Sequence, residues 1–197
     1  MAADFSSSET KDNLMRAFAG ESQARNRYTF AAGEAKKQKE HTIAQVFLYT
    51  AGQEKEHAEI FYKHLKKMAG ENIHVDGKYP VDLSDDLEVL LRMAQHNEYE
   101  EHDVVYKSFG DKAKEEGFPA IANSFYMIAE IEKYHGDRFG KFASWLEEKK
   151  LYVSDVKRGW ICLECGYIYE GEKVPSQCPV CGKDRGYFVR LELSPFA

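Results

Sequence analysis

The chain has 197 residues, 43% of them hydrophobic, which is room and material for one cored helical domain and one small satellite. Its formal net charge is −6 and it has no basic run, which excludes a nucleic-acid-binding surface of the usual kind. No apolar run is long enough to span a membrane and there is no signal-peptide core, so a cytoplasmic protein with reduced cysteines is expected.

In chain order, the run Ser6-Ser7-Ser8 offers a serine cap to a first helix that ends before Glu40. A second helix is predicted from about His41 to Met68, stopping at Gly70. Glu71 to Leu83, with Gly77 and Pro80, reads as a long crossover. Ser84 is the expected N-cap of a third helix, with Asp85 and Asp86 in its first turn, where the helix dipole favours negative charge. That helix ends near Gly117, and Pro119 suits the first turn of a fourth. The expected division is a helical bundle over 1–148, a linker over 149–158 and a tail over 159–197. The tail is rich in glycine, proline and cysteine, with short alternating runs such as Tyr187-Phe188-Val189-Arg190-Leu191. It is too small to bury much surface, so a bound metal is expected to contribute to its folding.

Each helical stretch carries an apolar seam of period about 3.5, and each seam is broken by metal-binding residue types. From Ile121 the seam reads Phe125, Ile128, Glu132, His135, Phe139, Phe142, Leu146; from Ile43 it reads Phe47, Thr50, Glu54, His57, Phe61, His64, Met68. The others read Leu87, Leu91, Ala94, Glu98, Glu101, Val105 and Leu14, Phe18, Glu21, Arg25, Tyr28. An unpaired carboxylate inside a bundle is costly to bury, and metal coordination would offset that cost. The chain is an approximate tandem repeat: Glu21 precedes Glu54 and His57 as Glu98 precedes Glu132 and His135, at intervals that differ by one residue. Residues three apart share a helix face, so each Glu-x-x-His directs oxygen and nitrogen to one point.

One glutamate from each of two helices plus a Glu-x-x-His from each of the other two is the pattern of ferritin-like carboxylate proteins. Two helical hairpins joined by a long crossover is the topology of the same class. Mixed carboxylate and imidazole donors suit iron or manganese better than structural zinc. Glu101 breaks the symmetry, because Ala24 stands at the matching place in the first half. Glu56, Glu59, Glu100, Glu130 and Glu147 fall off the seams and read as surface charge, as do His41, His74, His96 and His102; His64 reads as a polar helix end.

All four cysteines lie in the tail, as Cys162-x-x-Cys165-Gly166 and Cys178-x-x-Cys181-Gly182. Paired Cys-x-x-Cys with a following glycine is a tetrathiolate signal, each glycine allowing a tight turn whose amides can point at sulfur. The spacing fits zinc as well as iron. Nearby Trp160, Tyr167, Tyr169, Tyr187 and Phe188 lean toward an iron centre enclosed in apolar bulk, since a redox-active bundle needs an electron donor.

With both patterns in place the whole chain resembles rubrerythrin. The stretch Ala19 to Tyr28 is similar to that family's first-helix motif, and Glu54 to His57, Glu98 to Glu101, Glu132 to His135 and both cysteine pairs also match. The resemblance implies an all-α four-helix bundle with a C-terminal rubredoxin-like β domain. It implies two irons bridged by Glu54 and Glu132, with Glu21, Glu98 and His135 as terminal ligands, and Glu101 and His57 exchanging at one iron with redox state. It implies one further iron on Cys162, Cys165, Cys178 and Cys181, and supporting roles for Tyr28 and Tyr106. The implied activity is reduction of hydrogen peroxide to water by a head-to-tail homodimer, with electrons from an NAD(P)H-dependent reductase or a rubredoxin. Two alternatives stay open from the residues alone: a ferroxidase or iron-storage protein, and a non-catalytic electron carrier or zinc-ribbon module on a structural bundle.

Overall fold

The computed structural model describes residues 3–194. Helix α1 spans Glu9–Lys37, α2 His41–His64, α3 Leu87–Glu100, α4 Tyr106–Glu115 and α5 Pro119–Glu147. Between α3 and α4 the helix continues without a break through a π turn, Glu101–Val105, so the two form one long element. α1 packs on α2, and α3–α4 on α5. Each pair is joined by a three-residue turn, and residues 71–83, which form no helix or strand, link the two hairpins. No helix among the described residues is long and apolar enough to cross a membrane.

The helix starts follow local chemistry. Ser8 caps α1, its Oγ accepting from Lys11 N at 3.2 Å, and Glu9 and Asp12 occupy the first turn. Ser84 does not cap α3. Its hydroxyl accepts from Asp86 N at 3.0 Å, and this turn presents Asp86, whose carboxylate takes the amides of Glu88 and Val89. Pro119 stands at the start of α5 as expected.

The seams differ from expectation in two helices. In α1 the buried line is Leu14, Ala17, Glu21, Ala24, Tyr28, while Arg25 is exposed and Phe18 only half-buried. Small alanines face the core there, while Phe18 packs at the edge of the core and Arg25 turns outward. In the third long helix Val105 is half-buried and Tyr106 is buried, because the π turn displaces the register by one residue.

The buried side chains form two apolar clusters. One contains Tyr28, Phe47, Leu91 and Phe139 and continues into the tail through Trp160 and Phe188. The other contains Leu14, Phe61, Tyr106 and Phe125. Along α2 the polar positions Glu54 and His57 fall between Phe47 and Phe61, so the clusters flank them on both sides.

The tail is a three-stranded antiparallel sheet of order β2-β1-β3, with β1 Val153–Cys162, β2 Ile168–Lys173 and β3 Phe188–Arg190. β1 thus begins within the stretch expected to be linker. The sheet docks on the turn between α1 and α2. Thr42 Oγ1 donates to Phe188 O at 2.8 Å, Tyr152 donates to Glu40, and the Arg190 guanidinium lies 3.8 Å over the Trp145 ring. His41 is part of this contact, stacked on Tyr187 at 3.9 Å, and is not the free surface residue expected.

Candidate metal centres

Four helices bring six of the seven expected bundle ligands together, and all six are buried. Glu21, Glu54, His57 and Glu132 form one donor group; Glu54, Glu98, Glu132 and His135 form a second. Within each group one donor atom per residue lies within 4.8 Å of every other. Glu54 and Glu132 belong to both, and they divide their oxygens between the groups. Glu54 Oε1 is 2.9 Å from His135 Nδ1 and its Oε2 is 3.3 Å from His57 Nδ1. Glu132 Oε2 is 2.8 Å from His135 Nδ1 and its Oε1 is 2.9 Å from His57 Nδ1. Glu98 Oε2 stands 3.6 Å from His135 Nδ1, and Glu21 Oε1 stands 3.9 Å from His57 Nδ1.

These atoms are close yet poorly satisfied. Both oxygens of Glu54 and Glu132, one each of Glu21 and Glu98, and Nδ1 of both histidines are buried without a well-formed hydrogen bond. Atoms that converge on common centres rather than on one another give this result. Ligands at about 2.1 Å from a metal are separated by roughly 3.0–3.5 Å, and the donor atoms here stand 2.8–3.9 Å apart.

The electrostatics point the same way. Burial disfavours an imidazolium, but the Glu132 and Glu54 carboxylates outweigh it and push His57 up to about 9. Against the same burial, Glu132, Glu54 and Glu98 push His135 up to about 12. Burial, then the Glu54 charge, raises Glu98 to about 8. Burial with the Glu132 and Glu54 charges holds Glu21 well above the usual carboxylate range. Glu54 is pulled down, its contacts with His135 and His57 overcoming its burial. Without cations the centre therefore holds protons; two metal ions would supply the positive charge in their place. The donor set fits such a pair.

Glu101 stands outside both donor groups. It lies at the start of the π turn and lines a cavity of about 310 Å³ beneath the crossover. Burial and the charges of Glu98, Glu132 and Glu54 hold its carboxyl well above the usual range.

Two tyrosines support the glutamates across the bundle. Tyr28 on α1 donates to Glu98 on α3, and Tyr106 on α4 donates to Glu21 on α1 at 2.6 Å. Tyr28 follows Glu21 by seven residues and Tyr106 follows Glu98 by eight; the π turn absorbs the difference. Two supporting groups had no seam signal. Arg138 donates to Thr50 Oγ1 at 2.8 Å and Gln53 Oε1 at 2.9 Å beside Glu54. Asp82 accepts from Arg27 and from Asn97 Nδ2, tying the crossover to α1 and α3. The residues expected off the seams, Glu56, Glu59, Glu100, Glu130 and Glu147, are exposed.

In the tail, Cys162 Sγ is 3.8 Å from Cys181 Sγ and Cys165 Sγ is 3.6 Å from Cys178 Sγ, and all four sulfurs lie within 4.8 Å of one another. A tetrahedron with metal–sulfur bonds of about 2.3 Å has edges of ~3.8 Å. Gly166 and Gly182 take φ of 75° and 71°, closing two equivalent turns. Burial raises Cys178, but the amides of Cys181 and Val180 aimed at its sulfur outweigh that and lower it to about 7. Cys165 receives the Tyr167 amide, yet burial and the neighbouring sulfurs prevail and push it up to about 12. The four thiols fit one tetrahedral metal.

Residues 12–143 match the family profile described as "Rubrerythrin", and residues 160–189 match "Rubrerythrin, rubredoxin-like domain". The chain is 44% identical to the rubrerythrin of Clostridium perfringens, covering 91% of this chain and 93% of that protein. It is 36% identical to the rubrerythrin of Nitratidesulfovibrio vulgaris, covering 95% and 96%. Among solved structures it is similar to nigerythrin in its fully reduced, all-ferrous state, with a TM-score of 0.63, 27% identity and 95% and 92% coverage. A Desulfovibrio desulfuricans bacterioferritin, at 20% identity, 73% and 87% coverage and a TM-score of 0.56, shares the fold of the bundle.

Proposed function

The chain belongs to the rubrerythrin family, and from that premise we propose that it reduces hydrogen peroxide to water at a pair of irons in the bundle, with electrons delivered through one iron held by the four cysteines. The observation that carries the reading is the division of oxygens: Glu54 and Glu132 each offer one oxygen toward His57 and the other toward His135. Carboxylates so placed would hold a pair of cations between them. Glu21 would complete the first centre, with Glu98 and His135 completing the second. Bound there, two ferrous ions supply one electron each, and H2O2 with two electrons and two protons gives two waters.

The chain's own groups supply the rest. Tyr28 and Tyr106 fix Glu98 and Glu21 in position. The flanking aromatic layers exclude bulk water, which strengthens every charge interaction inside. Glu101 and His57 would be alternative donors to the first centre. The harder carboxylate suits the oxidised metal and the imidazole the reduced one. When His57 is the donor, the Glu101 carboxyl would be free to hold a proton at the edge of the cavity.

The tail docks at the turn before α2, and Glu54 lies 13 residues beyond His41, about 20 Å along the helix. A head-to-tail homodimer would place one subunit's tail nearer the other's bundle. An NAD(P)H-dependent reductase or a rubredoxin would refill the tail iron.

The test is a single turnover of the full-length protein, reduced without oxygen and mixed with hydrogen peroxide. One peroxide should be consumed per pair of bundle irons, followed by return of the visible thiolate–iron absorption. A reduced protein with full iron that leaves peroxide untouched would refute the reading. Metal analysis giving zinc on the four cysteines would remove the electron route.

A further inference from the structure

The cavity of about 310 Å³ has an inner wall and an outer wall of different character. Its inner wall includes Glu101 and Tyr106, the residue whose hydroxyl holds Glu21. None of the other expected bundle ligands lines it. Its outer wall is the crossover, Gly77 to Pro80, lying across Arg16 and Gly20 of α1.

The crossover is held unevenly. At Asp82 it is pinned by Arg27 and Asn97, and the Arg27–Asp82 pair is little exposed, at 11% and 13% of its side-chain surface. Over the cavity it is held by three lighter contacts, one of them from Arg16 Nε to Asp76 O at 3.3 Å. Tyr79 donates to Arg16 O at 3.0 Å, and Arg16 pairs with Asp76, whose side chain is 89% exposed. A solvent-exposed pair of this kind adds little. Gly77 lets the Tyr79 side chain pack close against the strap: a Cβ at position 77 would stand 2.5–2.8 Å from its ring and hydroxyl. Nothing else in residues 71–83 forms a helix or strand, so the strap can swing about Asp82 without breaking an element.

We propose that this cavity is the passage by which peroxide reaches Glu101, that Tyr79 is its lid, and that the strap over it restricts the enzyme to hydrogen peroxide by excluding bulky organic hydroperoxides. The proposal rests on the peroxidase reading for its substrate but not for its geometry. Hydrogen peroxide is two heavy atoms and needs little more room than water. Cumene hydroperoxide carries an aromatic ring that must displace Tyr79 to enter. Unlatching the strap should therefore change size selectivity and the exposure of the buried metal together.

The experiment uses the iron-loaded full-length protein and two measurements: peroxidase rates with hydrogen peroxide and with cumene hydroperoxide, and the rate at which an external ferrous chelator removes bundle iron. Tyr79→Ala should raise the cumene hydroperoxide rate relative to hydrogen peroxide about tenfold, the scale of steric discrimination in a pocket. It should speed chelation about fivefold, the factor set by one lost hydrogen bond of ordinary strength. Gly77→Ala, which keeps the tyrosine but displaces its ring, should do the same in smaller measure. Ser108→Trp, at the exposed rim of the cavity, should slow both chelation and hydrogen peroxide turnover. If Tyr79→Ala and Gly77→Ala leave chelation and selectivity at the parent values while turnover persists, the passage is elsewhere and the proposal falls. If no variant reduces any peroxide, the peroxidase reading falls, and chelation alone decides whether the lid exists.

Discussion

Removing one residue from the π turn separates what that turn does from what Glu101 does. In the first half Glu21, Ala24 and Tyr28 stand at offsets of zero, three and seven; in the second Glu98, Glu101 and Tyr106 stand at zero, three and eight. Deleting Asp103, an exposed residue of the turn, restores the α-helical offset for Tyr106 and places Glu101 where α1 has Ala24. Ala24 is 2% exposed and packed in the apolar core. A glutamate there adds four heavy atoms to a filled space and buries a carboxyl with no partner. Overpacking and polar burial together cost about 3 kcal/mol. For a protein of this size that lowers the melting temperature by roughly 6–12 °C. The assay is thermal unfolding of the metal-free protein followed by helical circular dichroism. The same deletion combined with Glu101→Ala should recover most of the loss, because the second half then repeats the first. If the deletion melts with the parent, or if the added alanine recovers nothing, the π turn is not what makes room for Glu101.

Other outcomes follow from the same geometry. Tyr106→Phe and Tyr28→Phe should each weaken metal binding in the bundle about 10–100-fold in chelator competition, with the tail colour unchanged; unaltered affinity would mean the hydroxyls only fill space. Loading metal-free protein with ferrous iron at pH 7 should release protons, chiefly from His57, His135 and Glu98, which are raised to about 9, 12 and 8. The sign follows: protons compete with metal, so uptake weakens as pH falls, and pH-independent uptake would contradict it. Glu54→Ala and Glu132→Ala should lose bundle iron and keep the tail centre; a full complement of bundle iron in either would overturn the bridging assignment. Gly186→Ala should loosen the tail from the bundle, since its Cβ would stand 1.8 Å from the Lys39 carbonyl oxygen; faster proteolysis near residues 148–153 is the readout, and an unchanged digest would count against the docking.

The helix order, the crossover, the two Glu-x-x-His faces and the tetrathiolate turns were legible because each depends on short-range spacing. The difference of one residue between the Glu21–Glu54 and Glu98–Glu132 intervals was visible too, but its meaning was not. The turns α1–α2 and α4–α5 are equal in length, so the extra residue lies inside the third long helix as the π turn. No propensity scale marks that position. Ala17 and Ala24 stand out less in the first seam than Phe18, which is only half-buried, because small core residues carry a weaker hydrophobic signal. The cap of α3 moved from Ser84 to Asp86 because a serine turn and an aspartate cap overlap in sequence. His41, Arg138 and Asp82 owe their roles to Tyr187, Thr50 and Arg27, which lie 146, 88 and 55 residues away, and such separations leave no local pattern.

The two halves of the bundle are near copies in their ligands and unlike in their access. In the first half a buried alanine closes the space beside Glu21. In the second, one extra residue widens the helix, brings Glu101 to a cavity and leaves Tyr106 in register to hold Glu21. The supporting hydrogen bonds therefore stay symmetric while a cavity lies on the Glu101 side. A symmetric pair buried between Phe47 with Phe139 and Phe61 with Phe125 would suit a closed structural centre. A one-sided pair suits a reaction whose substrate arrives at one metal and whose product leaves by the same way. On this view the insertion and the carboxylate belong together: Glu101 in a regular helix would be overpacked, and a π turn with alanine would open a cavity with nothing at its inner end to exchange at the metal.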